Sequence, residues 1–305
     1  MMISTLTGNN FYLIKRRLDE LADKFTAEHG ELALEKIDAE EADGQAVLDA
    51  VQSLPFLASR KMVVVRNLSA NKDASGQIEQ IIGSAGDSTD VIFYEPSSDK
   101  RTAVFKVLKS QTQLEEYNQM DVHTLAGWLA GESEKLGGKL GRNDAIYLIE
   151  RVGPNQELLA NELDKLLNYD PKISRENIDL LTVRTPQSKV FDLLDAVFSN
   201  NKKRAMELYD EQRAQKVEPQ AIIALLAWQL ELIALAIYGK GKSANQIAKD
   251  SGLSPYPVQK AQGLAAKLDE TKFKRMVQQV LSIDELGKTT SLDLDEALKT
   301  FIVTL

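Results

Sequence analysis

Residues 46–65 read AVLDAVQSLPFLASRKMVVV, and the apolar pattern changes period inside them. Val47, Ala50, Val51 and Leu54 recur at three- and four-residue steps, so they share the inward face of a helix predicted over Ala46–Leu54. Met62-Val63-Val64-Val65 is a short apolar run rich in β-branched side chains, the composition of a buried strand. Pro55 fixes the backbone at the helix exit. A helix leading into an all-apolar strand is half of a βαβ unit, and such units build a mainly parallel sheet with helices on both faces.

The same alternation extends outward. Ile3–Leu6 is expected as a strand, Phe11, Ile14, Leu18, Leu21 and Phe25 stripe one helix, and Leu32–Ile37 is a second short strand. Ile78–Ile82 and Arg101–Leu108 follow as helices, with strands at Val91–Tyr94 and Gln113–Tyr117. Beyond residue 121 the strand signal stops. Leu125, Leu129 and Leu136 begin a helical series that breaks at Gly137-Gly138 and resumes through Ala145, Leu148, Ile149 and Val152. Gly153-Pro154-Asn155 ends one helix and starts another over Leu158–Leu167. Thr185-Pro186-Gln187 is expected as a linker, because the residue before a proline is pushed out of helical geometry. From Val190 onward the pattern is helical, punctuated at Val217-Glu218-Pro219, Gly239-Lys240-Gly241 and Ser254–Pro257. The fold class is therefore α/β plus all-α: a parallel-sheet domain over 1–121, a small helical domain over 122–185 and a larger helical domain over 186–305.

A length of 305 residues is more than one small core holds. Lysine and arginine number 37 against 45 aspartates and glutamates, a net charge of −8, which argues against a protein held on nucleic acid by bulk charge. With no cysteine, disulfides, thiolate nucleophiles, zinc ribbons and iron–sulfur clusters are all excluded. Met1–Gly8 has no basic start and no long apolar run, so no secretory signal is read and a cytoplasmic location is expected. Ile222–Tyr238 is apolar enough to suggest a membrane span but carries Gln229 and Glu231 at its middle. A charge near the bilayer centre costs about 2.5–3.5 kcal/mol, so a helix buried among helices, with no membrane partner, is the expectation.

A nucleotide-binding α/β domain carries its phosphate loop after the first strand, here Thr7–Lys15. In the order GxxxxGK[ST] only Gly8 is in place; Leu13, Ile14 and Lys15 occupy the positions of the second glycine, the lysine and the hydroxyl. Gly8, Asn9 and Asn10 thus read as a degenerate phosphate loop, and Glu95 is a lone carboxylate after a later strand. A nucleotide-hydrolase architecture without hydrolysis and a plain flavodoxin-like domain both fit these facts. Asp38–Asp49 fails as a calcium loop, since Gly44 falls at the seventh position and Asp49 at the twelfth, and a solvated acidic turn is expected. His29 and His123 have no neighbouring ligand pattern, so no metal or cofactor is assigned.

Ser243–Ser254 has the alanine, turn glycine and following apolar residue of a helix-turn-helix. Pro255 and Pro257 stand where its recognition helix would begin, leaving Tyr256, Gln259 and Lys260 as a thin exposed set, so a structural helical hairpin is the better account. Leu54, Pro55, Phe56 and Leu57 lie in the turn between the helix and strand of the opening stretch. Either Phe56 and Leu57 tuck into the sheet edge, or they stand exposed as an apolar plug for a partner's pocket.

Taken in order, five stretches resemble the delta subunit family of bacterial DNA polymerase III, the clamp-opening subunits of the clamp loader. They are Leu6–Phe11, Leu54–Val65, Asn161–Leu166, Val190–Val197 and Ser254–Lys260. The resemblance spans essentially the full length. It implies an AAA+-like α/β domain without a working Walker A motif, a helical lid and a C-terminal helical collar. It also implies no ATPase or polymerase site in this chain, which would serve as a subunit of a DNA-directed DNA polymerase, a nucleotidyltransferase complex. In the family an apolar pair before the third strand enters the pocket of the sliding clamp, the beta subunit; the pair maps to Phe56 and Leu57, with Leu54 and Pro55 shaping the turn. The other partners implied are the gamma/tau and delta prime subunits and, within the assembled loader, primer–template DNA, for which Lys100 and Arg101 are the basic groups to hand. The competing classes are a helix-turn-helix DNA-binding regulator and a small-molecule enzyme with an unrecognised α/β site.

Overall fold

Alternate residues of the inner strands leave the sheet on opposite sides, and in this protein both sides are buried. The computed structural model describes residues 1–304. The chain forms two compact units, Met1–Gln119 and Met120–Leu305.

In the first unit the elements run β1 (Ile3–Gly8), α1 (Phe11–His29), β2 (Leu34–Asp38), α2 (Gly44–Gln52), β3 (Lys61–Arg66), α3 (Lys72–Gly76), α4 (Ile78–Gly83), β4 (Thr89–Pro96), α5 (Ala103–Gln111) and β5 (Gln113–Glu116). All five strands are parallel, in the order β2-β3-β4-β1-β5. Val63, Val65, Val91 and Phe93 meet Val47, Leu48, Val51, Ile78, Ile81 and Leu108 on one face. Leu6, Met62, Val64, Ile92 and Tyr94 meet Ile14 and Phe25 of α1 on the other. Each such apolar side chain taken fully out of water stabilises the fold by about 1.5–3 kcal/mol, which is why three consecutive valines belong here and not on a surface strand.

Two expectations shift locally. Leu32 is exposed in a 3-10 turn at Glu31–Ala33, and the second strand begins only at Leu34. The helix expected to reach Leu54 ends at Gln52, with Ser53 capping it in extended geometry. Leu54, expected on the inward face, is exposed, since the residue before Pro55 is driven out of helical φ/ψ.

The second unit comprises α6 (Val122–Lys135), β6 (Lys139–Leu140), α7 (Arg142–Val152), α8 (Gln156–Tyr169), β7 (Lys172–Ile173), α9 (Arg175–Leu181), α10 (Pro186–Phe198), α11 (Lys202–Ala214), α12 (Pro219–Tyr238), α13 (Ala244–Ser251), α14 (Pro255–Ala265), α15 (Glu270–Thr289) and α16 (Leu294–Thr304). Contrary to the all-helical expectation, β6 and β7 pair in parallel. Two-residue strands are too short to leave a period in the sequence. Gly138 enters this ladder where any Cβ would stand 2.1 Å from a Leu167 methyl. Thr185-Pro186-Gln187, expected as a linker, also starts a helix: Pro186 is the first residue of α10, and the Thr185 hydroxyl accepts from the Ser188 amide at 3.2 Å. The extended geometry that a proline imposes on its predecessor is the geometry an N-cap needs.

One apolar core gathers α6–α9 around Leu125, Leu129, Leu148, Leu163 and Ile178, and a second gathers α10–α16 around Leu194, Tyr209, Leu226, Ile233, Met276 and Phe301. Helix α12 has the length and composition of a membrane span, but Ile222, Ile223, Leu226, Gln229, Leu232 and Ile233 are buried in that second core. In the helix-turn-helix-like stretch, Gly252 turns the chain at φ 71° and Pro255 opens α14. Tyr256, expected among the exposed residues, is instead buried in the α6–α9 core, its hydroxyl donating to the Ile149 carbonyl at 3.4 Å. The first turn of α14 therefore faces inward, where a recognition helix would present itself to DNA.

Candidate functional site

Helix α2 is capped by Asp43, whose carboxylate accepts from the Ala46 amide at 2.6 Å, and it buries Val47, Leu48 and Val51. Its apolar face is used up by Gln52, so the chain beyond leaves the core. Leu54, Phe56 and Leu57 are then 84%, 73% and 82% exposed, with Pro55 half-buried between them. Of the two arrangements open to Phe56 and Leu57, the exposed one is observed. Leu57 sits at φ 55°, a left-handed conformation that strains a branched side chain by about 1–2 kcal/mol. Ala58 returns to the α1 side of the sheet. The Arg60 guanidinium then binds the Asp90 carboxylate at 2.6 Å and the Asp87 carbonyl at 3.2 Å. Three large apolar side chains on one short turn, each able to contribute about 1.5–3 kcal/mol on burial, form a patch that water does not favour and a partner's pocket does.

Gly8, Asn9 and Asn10 lie at the opposite, C-terminal end of the strands, and there the chain closes on itself. Gly8 has φ 117°, and a Cβ on it would fall 1.9 Å from the Tyr117 carbonyl oxygen. The Asn10 amide donates to that same carbonyl at 3.0 Å, the Asn9 side chain accepts from the Gln119 amide at 2.7 Å, and the Gly8 carbonyl accepts from Ser97 at 2.8 Å. The Asn10 side chain caps α1 through the Leu13 amide at 3.1 Å. Amides that a phosphate cradle aims at its ligand are here directed to the 117–119 segment and to the α1 cap.

Glu95 is buried at this end of β4. Its carboxylate accepts from the Leu68 amide and, at 3.2 Å, from Ser69, tying down the turn after β3. Burial pushes its pKa up, opposed by the Ser69 and Leu68 hydrogen bonds. Lys100 is ion-paired with Glu116 at 2.6 Å, and Arg101 with Asp99 at 2.8 Å, an exposed contact that brings the Asp99 pKa down to about 2. Asp38 accepts from Asn67 at 3.2 Å and Asp43 caps α2, so the acidic turn serves local structure. His29 packs against Phe25 in a tilted arrangement, 4.6 Å between ring centroids, and the His123 carbonyl accepts from Arg142 at 3.2 Å. Sequence reasoning missed how the exposed turn is anchored at Arg60 and Lys61, because the Asp90 partner is thirty positions along the chain and no local spacing marks it.

A family model described as "DNA polymerase III, delta subunit" matches residues 5–118, and one described as "DNA polymerase III delta subunit, C-terminal domain" matches residues 187–305. The chain belongs to the DNA polymerase III delta subunit family. A DNA polymerase III subunit delta from Bacillus subtilis is 22% identical over 98% of this chain and 91% of its own length. The fold is also that of a solved Bacillus subtilis DNA clamp loader delta protein, at a TM-score of 0.80 and 21% identity, covering 100% of this chain and 95% of that one. The exposed turn and the closed Gly8 loop both lie within the stretch matched to the delta subunit model, and α14, with its inward Tyr256, lies within the C-terminal match.

Proposed function

We propose that this delta-family chain is the part of a clamp loader that docks on the sliding clamp and opens it. Phe56 and Leu57 enter the apolar pocket of the clamp, and Leu54 and Pro55 shape the turn that carries them. The observation that carries this reading is the exposure of both side chains, 73% and 82%, on a turn whose backbone presents them outward. Docking opens the ring only to the extent that the chain binds the open clamp more tightly than the closed one.

The loop at Gly8–Asn10 supports a subunit without ATPase chemistry of its own: the Asn10 amide is already bonded to the Tyr117 carbonyl, and the lysine and hydroxyl of a Walker A motif are absent. Nucleotide hydrolysis then falls to the gamma/tau subunits assembled beside it with delta prime. Residues 1–121 act as the AAA+-like domain, 122–185 as the lid and 186–305 as the collar that joins the other subunits, and primer–template DNA is met in the assembled ring in the cytoplasm. Replacing Phe56 and Leu57 together with alanine lowers clamp affinity by about 2–4 kcal/mol, roughly 30- to 1000-fold, measured by surface plasmon resonance on the purified clamp. Unchanged affinity in a variant with the parent circular dichroism spectrum overturns the assignment.

A further inference from the structure

Lys61 is the first residue of β3 and is 5% exposed. A lysine is rarely placed there unless its charge is engaged. Its ammonium donates to the Ala50 carbonyl in the last turn of α2 and to the Ser53 hydroxyl at 2.5 Å, with the Glu35 carboxylate of neighbouring β2 3.7 Å away. Burial pushes the Lys61 pKa below the ordinary lysine range, partly countered by Glu35. An apolar side chain would satisfy the core at this position without desolvating a charge, so packing does not explain the residue. The contacts do. Ala50 and Ser53 are where the chain leaves for the exposed turn, and Lys61 is where it returns. The ammonium joins the two ends and also meets a helix C-terminus, whose dipole favours a cation and where the Ala50 carbonyl accepts from the Ser53 hydroxyl as well, at 3.3 Å. Arg60 ties the returning strand to Asp87 and Asp90 on its other side.

We infer that Lys61 is a positioning residue for the docking turn: by clasping the end of α2 to the start of β3, it holds Phe56 and Leu57 in their presented arrangement before a partner arrives. This rests on the reading of those two residues as the clamp anchor. If only a fraction of molecules presents the tip correctly, apparent affinity falls by that fraction; a clasp whose loss reduces the presented population to about a tenth weakens binding about tenfold.

The test uses the full chain with Lys61→Met, which keeps the length of the side chain and removes the charge. Replacing a buried charge with an apolar side chain of similar volume is often neutral for stability, so thermal unfolding stays close to the parent. The Ser53 and Lys61 amides, bonded to the Asp49 and Ser88 carbonyls at 2.9 Å each, exchange faster with deuterium, clamp affinity drops about tenfold, mostly through slower association, and Lys61→Arg restores part of it. In a background where Phe56 and Leu57 are alanine, Lys61→Met has no further effect on affinity, which separates positioning from general damage. Parent-like exchange at both of these amides, parent affinity in folded Lys61→Met, or an undiminished tenfold loss in the alanine background each overturns the inference. Should Lys61→Met not fold, Ser53→Ala removes one of the ammonium's two bonds, together with the hydroxyl's own bond to the Ala50 carbonyl, and is expected to speed exchange in the same amides and weaken binding severalfold; no change in either overturns the clasp. Exchange is read without the clamp, so it judges Lys61 even where unchanged affinity of the Phe56/Leu57 double variant has overturned the docking reading.

Discussion

Two loops of the parallel sheet, at opposite ends of its strands, have been put to opposite uses. At the C-terminal end the Gly8–Asn10 loop, where an α/β domain of this kind ordinarily receives a phosphate, is bonded to the segment after β5. At the N-terminal end the turn after α2 is bonded only at its base and holds three large apolar side chains in water. The contrast shows where binding capacity resides in a fold: in backbone and side chains left without internal partners, wherever the topology would have led one to look.

That contrast can be broken at either loop. The largest stability effect is expected from Gly8→Ala, which forces a Cβ against the Tyr117 carbonyl at a φ that L-residues avoid; it destabilises the first unit by about 3 kcal/mol in a denaturant titration, while molecules that do fold bind the clamp as before. Leu57→Gly separates stability from function. It relieves left-handed strain and raises stability by about 0.5–1 kcal/mol after the greater chain entropy of glycine is deducted, yet lowers clamp affinity about tenfold. If stability and affinity fall together, Leu57 is serving the fold instead of a partner. Asn10→Ala removes the cap of α1 and costs about 1 kcal/mol, with no loss of affinity for the clamp.

The smallest effect is a pH dependence at the closed end. The Glu95 pKa is raised in the folded chain, so its contribution is fully present below the unfolded value of 4.5 and is lost as pH climbs through the folded one. Glu95→Gln cannot ionise, and its stability should change less with pH over that window; equal slopes in the two proteins would remove the buried carboxyl from the account.

Much of this was legible in the residues. Valines 63–65 forced a strand with both faces covered, and the absent lysine and hydroxyl after Gly8 pointed away from phosphate chemistry. The exposed tip was legible only as one of two alternatives, because Leu-Pro-Phe-Leu suits a sheet edge as well as a surface, and the choice depends on α2 exhausting its apolar face at Gln52. Long-range constraints were not legible at all. Gly8 meets Tyr117 and Arg60 meets Asp90 through contacts that no local period encodes, and β6 with β7 is shorter than any period. At Thr185-Pro186 the helix start was hidden because one geometric restriction serves both a chain break and a helix start.

Tyr256 belongs by sequence to α14 but is buried among the residues of α6–α9 and bonds the carbonyl of Ile149. A swivel of those two helical groups against each other would have to extract an aromatic ring from its socket, at an expense of about 3–5 kcal/mol if the loss resembles truncating a buried ring. Torque applied to one group is accordingly delivered to the other, as through a dowelled joint.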